Sequence, residues 1–219
     1  MPDRVALVTG GARGIGAAIA DRLHRDGWRV VVADRDPNGA APPGGRYAVC
    51  DVADEASVTA LAAGEPRIDA LVCNAGFSIR KPLAELWLAE WSSVLATNLT
   101  STFLLVRAAE AKLRAAKGAE VTIASTRAHM SEPHTESYPA SKHGLVALTH
   151  ALALSLAPDV RVNCVSPGPT KTKGPAPTPQ EHAFHPAGRV GVAADIGALV
   201  AFLLRAEAGF ITGSEFIAD

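Results

Sequence analysis

The sequence has little charge imbalance, few cysteines and no long apolar run. Lysine and arginine total 21 against 22 for aspartate and glutamate, which leaves a formal net charge of −1. A near-neutral chain lacks the basic excess typical of proteins that bind nucleic acid or anionic membranes. No apolar run approaches the ~18 residues that a membrane span requires, and the residues before the first apolar run are too few and too acidic for a signal peptide.

The three cysteines, Cys50, Cys73 and Cys164, are far apart and lie in apolar runs. Their number is odd, and their spacing matches neither a zinc site nor a disulfide framework. They are typical of reduced core residues, so they predict a cytoplasmic protein.

Apolar residues make up 48% of the chain and charged residues 20%, as in ordinary soluble globular proteins. A chain of 219 residues suits one domain with a sizeable core. Because no internal repeat or linker divides the chain, we expect a single domain over residues 1–219.

The N-terminal segment has the order strand, glycine turn, helix and strand. Val5–Val8 is a short apolar run, residues 9–16 form the turn TGGARGIG, residues 17–25 are helical in composition, and residues 28–33 form a valine-rich run. This is the order of the first half of a dinucleotide-binding βαβ unit, whose glycines allow a tight turn and close approach to a pyrophosphate. The N-terminus of the helix then faces the phosphates.

Asp34 ends the second strand, 20 residues after Gly14. A carboxylate at this place binds the adenosine ribose hydroxyls and repels a 2′-phosphate, so it favours NAD. Arg13 and Arg35 oppose this preference, since either guanidinium could pair with a phosphate. We predict NAD as the cofactor, with NADP as the alternative.

Strand-like and helix-like segments alternate through the rest of the chain. Further strands are predicted at residues 47–50, 68–73, 121–124, 160–165 and 215–218, and helices at 54–63, 83–117, 138–156 and 193–204. Continuous apolar strands are typical of a parallel sheet buried on both faces. We therefore predict an α/β fold, a doubly wound and mostly parallel sheet of Rossmann type with helices on both faces. The proline-rich residues 169–187 are expected to be irregular and to form a mobile cover over a site.

The long helical segment 83–117 carries an apolar stripe that is expected to lie in the core. The members of this stripe are Trp87, Trp91, Val94, Leu95 and Leu99. Asn98 lies among them, and an amide in an apolar stripe needs hydrogen-bond partners. It is therefore either a satisfied structural amide or part of a site.

Tyr138 and Lys142 are four residues apart, which places them on one face of a helix, one turn from each other. A phenol with a pKa of ~10 is a poor base at neutral pH. An ammonium group close by favours the phenolate and lowers that pKa, so the pair could transfer protons at physiological pH.

Taken together, these motifs resemble those of the short-chain dehydrogenase/reductases, of the compact single-domain branch. Residues 9–16 are similar to the family's TGxxxGxG cofactor loop, and residues 51–52, 74–76 and 167–168 to its DV, NAG and PG motifs. Asn98, Ser125, Tyr138 and Lys142 fall on the family's catalytic four, with the tyrosine 13 positions after the serine. The resemblance implies a cofactor site formed by Thr9, Gly10, Arg13, Gly14, Ile15, Gly16, Asp34, Arg35, Asp51, Val52, Asn74, Ala75, Gly76, Tyr138, Lys142, Pro167, Gly168 and Thr170.

The same resemblance implies hydride transfer between the nicotinamide and the carbon of a small alcohol or ketone. Tyr138 would be the general acid or base, and Lys142 would bind the nicotinamide ribose and hold the phenol pKa down. Ser125 would donate to the substrate oxygen, and Asn98 would hold a water that connects Lys142 to solvent. A homo-oligomer, either a dimer or a tetramer, is also implied.

Substrate recognition is expected from loops above the strand ends, at residues 77–80, 127–136 and 169–185. Their mixture of aromatic, basic, acidic and imidazole groups suits a polar substrate better than a steroid or a long acyl chain. No metal site is predicted, because no helical or strand spacing brings the histidines of these loops together; these are His129, His134, His182 and His185.

Two other classes of function fit the same fold. The first is a catalytically silent dinucleotide-binding sensor or interaction protein, since a fold does not fix a function. An intact Ser/Tyr/Lys set argues against it, because a pure binding protein has no use for those groups. The second is an epimerase or dehydratase on an extended relative of the fold, for which the chain is too short to carry the additional substrate domain.

Overall fold

The order of the secondary-structure elements is that of a doubly wound α/β protein. A computed structural model describes residues 4–219 of the chain. The strands are β1 Val5–Thr9, β2 Arg29–Asp34, β3 Arg46–Val49, β4 Ala70–Cys73, β5 Ala119–Ile123, β6 Arg161–Pro167, β7 Thr170–Lys171, β8 Gly191–Val192 and β9 Glu215–Ala218. The α-helices are α1 Gly14–Arg25, α2 Glu55–Ala63, α3 Leu88–Leu95, α4 Ser101–Ala116, α5 Ser137–Leu156, α6 Pro179–Ala183 and α7 Ala193–Leu203.

Seven strands form one parallel sheet in the order β3-β2-β1-β4-β5-β6-β9, which confirms the predicted fold class. One face of the sheet packs against α1 and α7, and the other against α2, α4 and α5. Burial on both faces explains why β1, β2 and β4 consist largely of apolar residues rather than alternating apolar and polar ones. The strand order reverses between β1 and β4, the place where open α/β sheets bind ligands.

Most predicted boundaries agree with the structure to within a few residues. Asp54 caps α2, and its carboxylate accepts a 3.0 Å hydrogen bond from the backbone N–H of Ser57. The strand predicted at residues 68–73 is shorter and spans Ala70–Cys73. Just before it, the carboxylate of Asp69 accepts the N–H of Val5 at 2.9 Å. All three cysteines are buried and unpaired, as predicted.

The prediction of one continuous helix over residues 83–117 was wrong. It consists of a 3₁₀ turn Leu83–Glu85, then α3, a π-helical turn Ala96–Thr100, and α4. Trp87 is also not in the core: its side chain is 72% exposed. It lies at the N-cap of α3, with the ammonium of Lys81 5.5 Å from its ring centroid.

The cover segment was predicted to be irregular, but it contains short regular elements. β7 pairs with β8 in a two-stranded parallel sheet. Thr178 and Glu181 form a capping box at the start of α6, because each side chain bonds a backbone N–H that the helix end leaves free. Within residues 4–219, no helix combines the length and the apolar composition needed to cross a membrane.

Candidate active site

A cavity of about 810 Å³ opens at the carboxyl ends of the central strands. Most of the predicted site residues line it, although they come from distant parts of the chain. These are Gly10, Arg13, Gly14, Ile15, Gly16, Asp34, Arg35, Asp51, Val52, Asn74, Ala75, Gly76, Ser125, Tyr138, Lys142, Pro167, Gly168 and Thr170.

Thr9 was predicted to bind cofactor, but it lies fully buried beneath the cavity. Its hydroxyl donates to the carbonyl of Val72 at 3.3 Å and accepts the N–H of Asn74 at 3.1 Å. The Asn74 amide in turn donates to the carbonyl oxygens of Thr9 and Gly10 at 2.9 and 3.1 Å. The two residues therefore join the glycine turn to β4, and Thr9 supports the cavity floor rather than lining it.

The glycine turn is shaped to receive a large anion. Gly10 and Gly14 have φ of +63° and +60°, a left-handed conformation that favours glycine. A Cβ on Gly16 would lie 2.2 Å from the carbonyl oxygen of Gly10, so the backbone could not keep this arrangement with a larger residue. No side chain caps α1, and its first turn has no acidic residue. Its free N–H groups thus fit the pyrophosphate of a dinucleotide.

Three cations line the cavity near this turn and pair with no acidic side chain in residues 4–219: Arg13, Arg35 and Lys173. They are available for phosphate groups. Sequence reasoning missed Lys173, although the run Thr170-Lys171-Thr172-Lys173 after the PG motif was a signal of it.

Asp34 is fixed at the end of β2. One carboxylate oxygen accepts the N–H of Ala12 at 3.1 Å and the other accepts the N–H of Asp36 at 3.2 Å. The glycine turn therefore holds the acid in position, and its half-buried carboxylate lines the cavity.

Ser125 and Tyr138 meet at the other end of the cavity. Ser125 follows β5, and its hydroxyl accepts the backbone N–H of Arg127 at 3.1 Å. Burial raises the pKa of Tyr138 above its ordinary value, while the Ser125 hydroxyl and the positive charge of Arg127 both lower it. The pKa of Tyr138 is raised on balance, whereas the sequence predicted a lowered one.

Lys142 lies on the same face of α5 as Tyr138, as predicted, with Nζ 5.6 Å from the centroid of the phenol ring. Its Nζ donates a 2.7 Å hydrogen bond to the carbonyl of Ile123. The side chain is buried, and burial lowers its pKa to about 8. The ammonium charge is thus itself unstable in this position, which weakens its effect on the phenol.

Asn98 lies in the π-helical turn and does not line the cavity. Its Nδ2 donates to the carbonyl of Phe77 at 2.9 Å and to the hydroxyl of Ser141 at 3.0 Å, and its Oδ1 accepts the N–H of Phe77 at 2.9 Å. Both amide hydrogens are used, while Oδ1 keeps one lone pair that could accept from a water. The side chain joins the loop after β4 to α5, and its part in a catalytic site stays a prediction.

Two of the three predicted recognition loops are joined beside Ser125. The N–H of Lys81 donates to the carbonyl of His134 at 2.8 Å. Glu132 pairs with Arg127, and its other oxygen lies 3.6 Å from a guanidinium nitrogen of Arg80. Residues 77–80 and 127–136 therefore form one wall.

The α3 side of the cavity was not predicted. Ser93, Ala96 and Thr97 line it. Ala96 and Thr97 follow Ser93 by three and four residues, so the three small side chains lie on one helix face. They interrupt the apolar stripe, and this interruption was visible in the sequence.

Two of the histidines in the predicted loops pair with carboxylates. The Nε2 of His129 lies 2.8 Å from Glu215, and the Nδ1 of buried His185 lies 2.8 Å from Asp219. Within the described part of the chain, no three His, Cys, Asp or Glu side chains group as a metal site requires.

The fold and the side chains at the strand ends are those of a Rossmann-type oxidoreductase. A family model described as enoyl-(acyl carrier protein) reductase matches residues 10–219. The chain belongs to the short-chain dehydrogenase/reductase family, which confirms the resemblance found in the sequence.

Relatives with curated names are similar in sequence to this chain over almost its whole length. An uncharacterized oxidoreductase of Thermotoga maritima is 42% identical over 99% of this chain and 94% of its own length. D-threitol dehydrogenase of Mycolicibacterium smegmatis is 38% identical over 99% and 91%. The 3-oxoacyl-[acyl-carrier-protein] reductase of Escherichia coli is 34% identical over 96% and 93%.

Solved structures give the same result. An apo SCOR enzyme from Clostridium thermocellum superposes with a TM-score of 0.93 and 38% identity, covering 100% of this chain and 92% of that one. Thermoplasma acidophilum aldohexose dehydrogenase gives 0.91 and 29%, covering 99% and 92%. A 3-ketoacyl-(acyl-carrier-protein) reductase from Brucella melitensis, complexed with NADH, gives 0.90 and 27%, covering 99% and 96%.

Proposed function

We propose that the protein is an NAD-dependent dehydrogenase or reductase that interconverts a secondary alcohol and a ketone on a small, polar substrate. One observation carries this proposal. Ser125, Tyr138 and Lys142 line the same cavity as the glycine turn and Asp34, although they are far apart in the sequence.

The nicotinamide would supply the hydride for reduction and accept it for oxidation. The N-terminus of α1, with Arg13 and Lys173, would hold the pyrophosphate, and Asp34 would accept hydrogen bonds from the adenosine ribose. Asp51-Val52, Asn74–Gly76, Pro167-Gly168 and Thr170 complete the proposed cofactor site.

Tyr138 would donate its proton to the developing alkoxide during reduction and accept the proton of the alcohol during oxidation. Ser125 would donate a hydrogen bond to the same substrate oxygen and so stabilise the charge that develops there. Lys142 has two ammonium hydrogens beyond the one bonded to Ile123, and these could bind ribose hydroxyls. Its charge would also favour the phenolate. Asn98 acts as a positioning residue, because its amide fixes the loop at Phe77 to α5.

Asp34 supports NAD over NADP, because its carboxylate is held in place by two backbone N–H groups. A 2′-phosphate beside it would bring two negative charges together. The structural neighbour from Brucella melitensis, which was solved with NADH, is consistent with this choice.

The proposal includes a cytoplasmic homo-oligomer, a dimer or a tetramer. Leu154 on α5 and Phe103 on α4 are large apolar side chains that remain exposed in the single chain. Light scattering coupled to size exclusion tests this part, and a stable monomer at micromolar concentration would contradict it.

The decisive experiment is a panel of alcohols, sugars and ketones with NAD(H) and NADP(H), followed by nicotinamide absorbance. Turnover that is lost in Tyr138→Phe while cofactor binding persists would support the enzyme. Cofactor binding with no turnover in either protein would instead support the silent sensor or interaction protein, and equal turnover in both proteins would contradict the proposed role of Tyr138.

A further inference from the structure

We propose that His185 and Asp219 form a latch that holds the cover segment, residues 169–187, closed over the cofactor, so that this pair sets the rate at which the cofactor enters and leaves. This inference rests on the proposed function, because it requires a dinucleotide at the glycine turn. Both are positioning residues, since neither lines the cavity. The pair is called the latch below.

The cover segment lies directly over the glycine turn. A Cβ on Gly14 would lie 3.5 Å from Cγ2 of Thr172, and both Thr172 and Lys173 line the cavity. A pyrophosphate bound at the N-terminus of α1 would therefore be enclosed between the glycine turn and the cover segment. The cover segment has to move away before a dinucleotide can enter or leave.

The latch is a buried hydrogen bond between the cover segment and the residue that follows β9. The Nδ1 of His185 donates to Oδ1 of Asp219 at 2.8 Å, and only 4% of the His185 side chain is exposed. An ionised carboxylate only accepts, so Nδ1 carries the hydrogen whether the imidazole is neutral or charged. Hydrogen bonds to ionised groups are among the stronger ones in proteins.

The carboxylate of the latch also contacts the wall of the cavity. Asp219 packs against Gly168, where a Cβ would lie 2.4 Å from the carboxylate carbon of Asp219. The N–H of Gly168 donates to the carbonyl of Ala218 at 2.8 Å. Because Gly168 lines the cavity, the latch joins the cover segment to the strand ends on which the cofactor would lie.

Few other contacts hold the cover segment in place. Two side chains of residues 172–190 form hydrogen bonds with the rest of residues 4–219, and these belong to His185 and Arg189. Arg189 pairs with Asp195 at the start of α7, but both side chains are more than one-third exposed, and exposed ion pairs contribute little. β7 and β8 pair with each other over two residues and do not join the seven-stranded sheet. The latch is therefore the strongest polar contact of the cover segment.

The test measures the rates of NADH binding and release by stopped-flow fluorescence. We expect His185→Leu and Asp219→Ala each to raise both rates about 10- to 100-fold, as expected for loss of a hydrogen bond to a charged group. Because the cover segment opens before entry and exit alike, the dissociation constant should stay close to that of wild type. The double variant should be no faster than either single variant, since all three lose the same contact.

Two further variants serve as controls. His185→Asn keeps an N–H donor, so it should release NADH more slowly than His185→Leu. Arg189→Met is the matched control, because it breaks the exposed pair with Asp195 just after the cover segment, and its rates should stay close to those of wild type. The Asp219 side chain is 31% exposed, so Asp219→Ala keeps the test available if His185→Leu does not fold.

Three outcomes would overturn the inference. In the first, both rates are unchanged in His185→Leu and Asp219→Ala. In the second, the release rate and the dissociation constant rise together while the binding rate stays constant, which would indicate a lost contact with the cofactor. In the third, Arg189→Met or His185→Asn is as fast as His185→Leu, which would show that the hydrogen bond of the latch has no special part.

NADH binding separates this inference from the proposed function, because it requires no turnover. If wild type binds NADH but turns over no alcohol or ketone, the proposed reaction fails and the rates still decide the latch. If wild type turns over a substrate and the rates do not respond to the variants, only the latch fails. If wild type binds neither NADH nor NADPH, both fail.

Discussion

The ammonium of Lys142 donates a 2.7 Å hydrogen bond to the carbonyl of Ile123, the last residue of β5. This bond holds a positive charge inside the protein, and burial lowers the pKa of Lys142 to about 8. The unfolded chain keeps an ordinary lysine pKa of ~10.4. Between these values the unfolded state binds more protons, so wild type should gain stability as pH rises from about 8 to ~10.4.

Lys142→Met should remove this gain, which is at most ~1.4 kcal/mol per pH unit. The measurement is the difference in unfolding free energy between variant and wild type over a pH series in urea. Lys112→Met is a control for the lost hydrogen bond, since Lys112 donates to the carbonyl of Ala62 from a half-buried position. A difference that does not vary with pH would contradict a buried, destabilised ammonium.

Glu120 should give the opposite dependence on pH. It is fully buried in β5, and neither of its carboxyl oxygens has a hydrogen-bond partner among residues 4–219. Burial raises its pKa from 4.5 to about 8, while the thiol of Cys73 acts in the other direction. The folded state therefore holds a proton that the unfolded state has released, and wild type should lose stability as pH rises from about 4.5 to about 8.

Glu120→Gln and Glu120→Leu should lose this slope, so both variants gain on wild type by up to ~1.4 kcal/mol per pH unit in that window. Urea unfolding at several pH values measures it. Exposed Glu85→Gln serves as the control. Parallel pH curves for wild type and both Glu120 variants would show that this carboxyl is ionised in the fold.

Tyr138→Phe should lower kcat about 10²- to 10⁴-fold, the usual contribution of a positioned general acid or base. Binding of NADH, followed by fluorescence, should persist because the glycine turn is untouched. Tyr47→Phe is the matched control, since its hydroxyl donates to the carbonyl of Asp36 and the residue does not line the cavity. Turnover equal to wild type in Tyr138→Phe would refute the proposed mechanism.

Asp34→Ala should change the choice of cofactor. Without the carboxylate, a 2′-phosphate no longer meets a like charge, and Arg13 and Arg35, which have no acidic partner, can pair with it. We expect the ratio of kcat/KM for NADP to that for NAD to rise at least about tenfold, which is ~1.4 kcal/mol. Asp36→Ala is the control, because Asp36 is exposed nearby. A wild type that already prefers NADP would invalidate the assignment of Asp34.

Arg127→Met should move the pH profile of alcohol oxidation to higher pH. Oxidation needs Tyr138 as a base, so its rate rises as the phenol ionises. Because the charge of Arg127 lowers the pKa of this phenol, removing the charge should shift the rising limb of kcat upwards. Arg127→Lys should restore most of the shift. An unchanged limb in Arg127→Met would exclude the electrostatic effect.

Strand ends and glycine positions were predictable from the sequence because they follow from local chemistry. The glycine turn, Asp34 and the residues after β4, β5 and β6 all lie where parallel strands end, and this one edge brings them together. The approximate positions of the helices were predictable for the same reason, since an amphipathic face depends only on the local spacing of apolar residues.

Quantities that depend on the surrounding protein were not predictable. The sequence places Tyr138 one turn from Lys142, but burial and the bond to Ile123 decide both pKa directions. Asn98 was correctly identified as an amide in need of partners, but its three partner atoms come from distant segments. The fifth strand was predicted to begin after Glu120, so the burial of the Glu120 side chain in the sheet was not predicted.

The π-helical turn Ala96–Thr100 is equivalent to inserting one extra residue into a continuous helix. Each helical residue turns the chain by ~100°, so the turn sets α3 and α4 out of phase. Ser93 of α3, with Ala96 and Thr97 of the turn, can then face the cavity while the apolar side of α4 covers the sheet. Deleting one residue from this turn should restore one continuous α-helix. The side chain of Asn98 would then rotate away from Phe77, and the loop at residues 77–80 would lose its connection to α5.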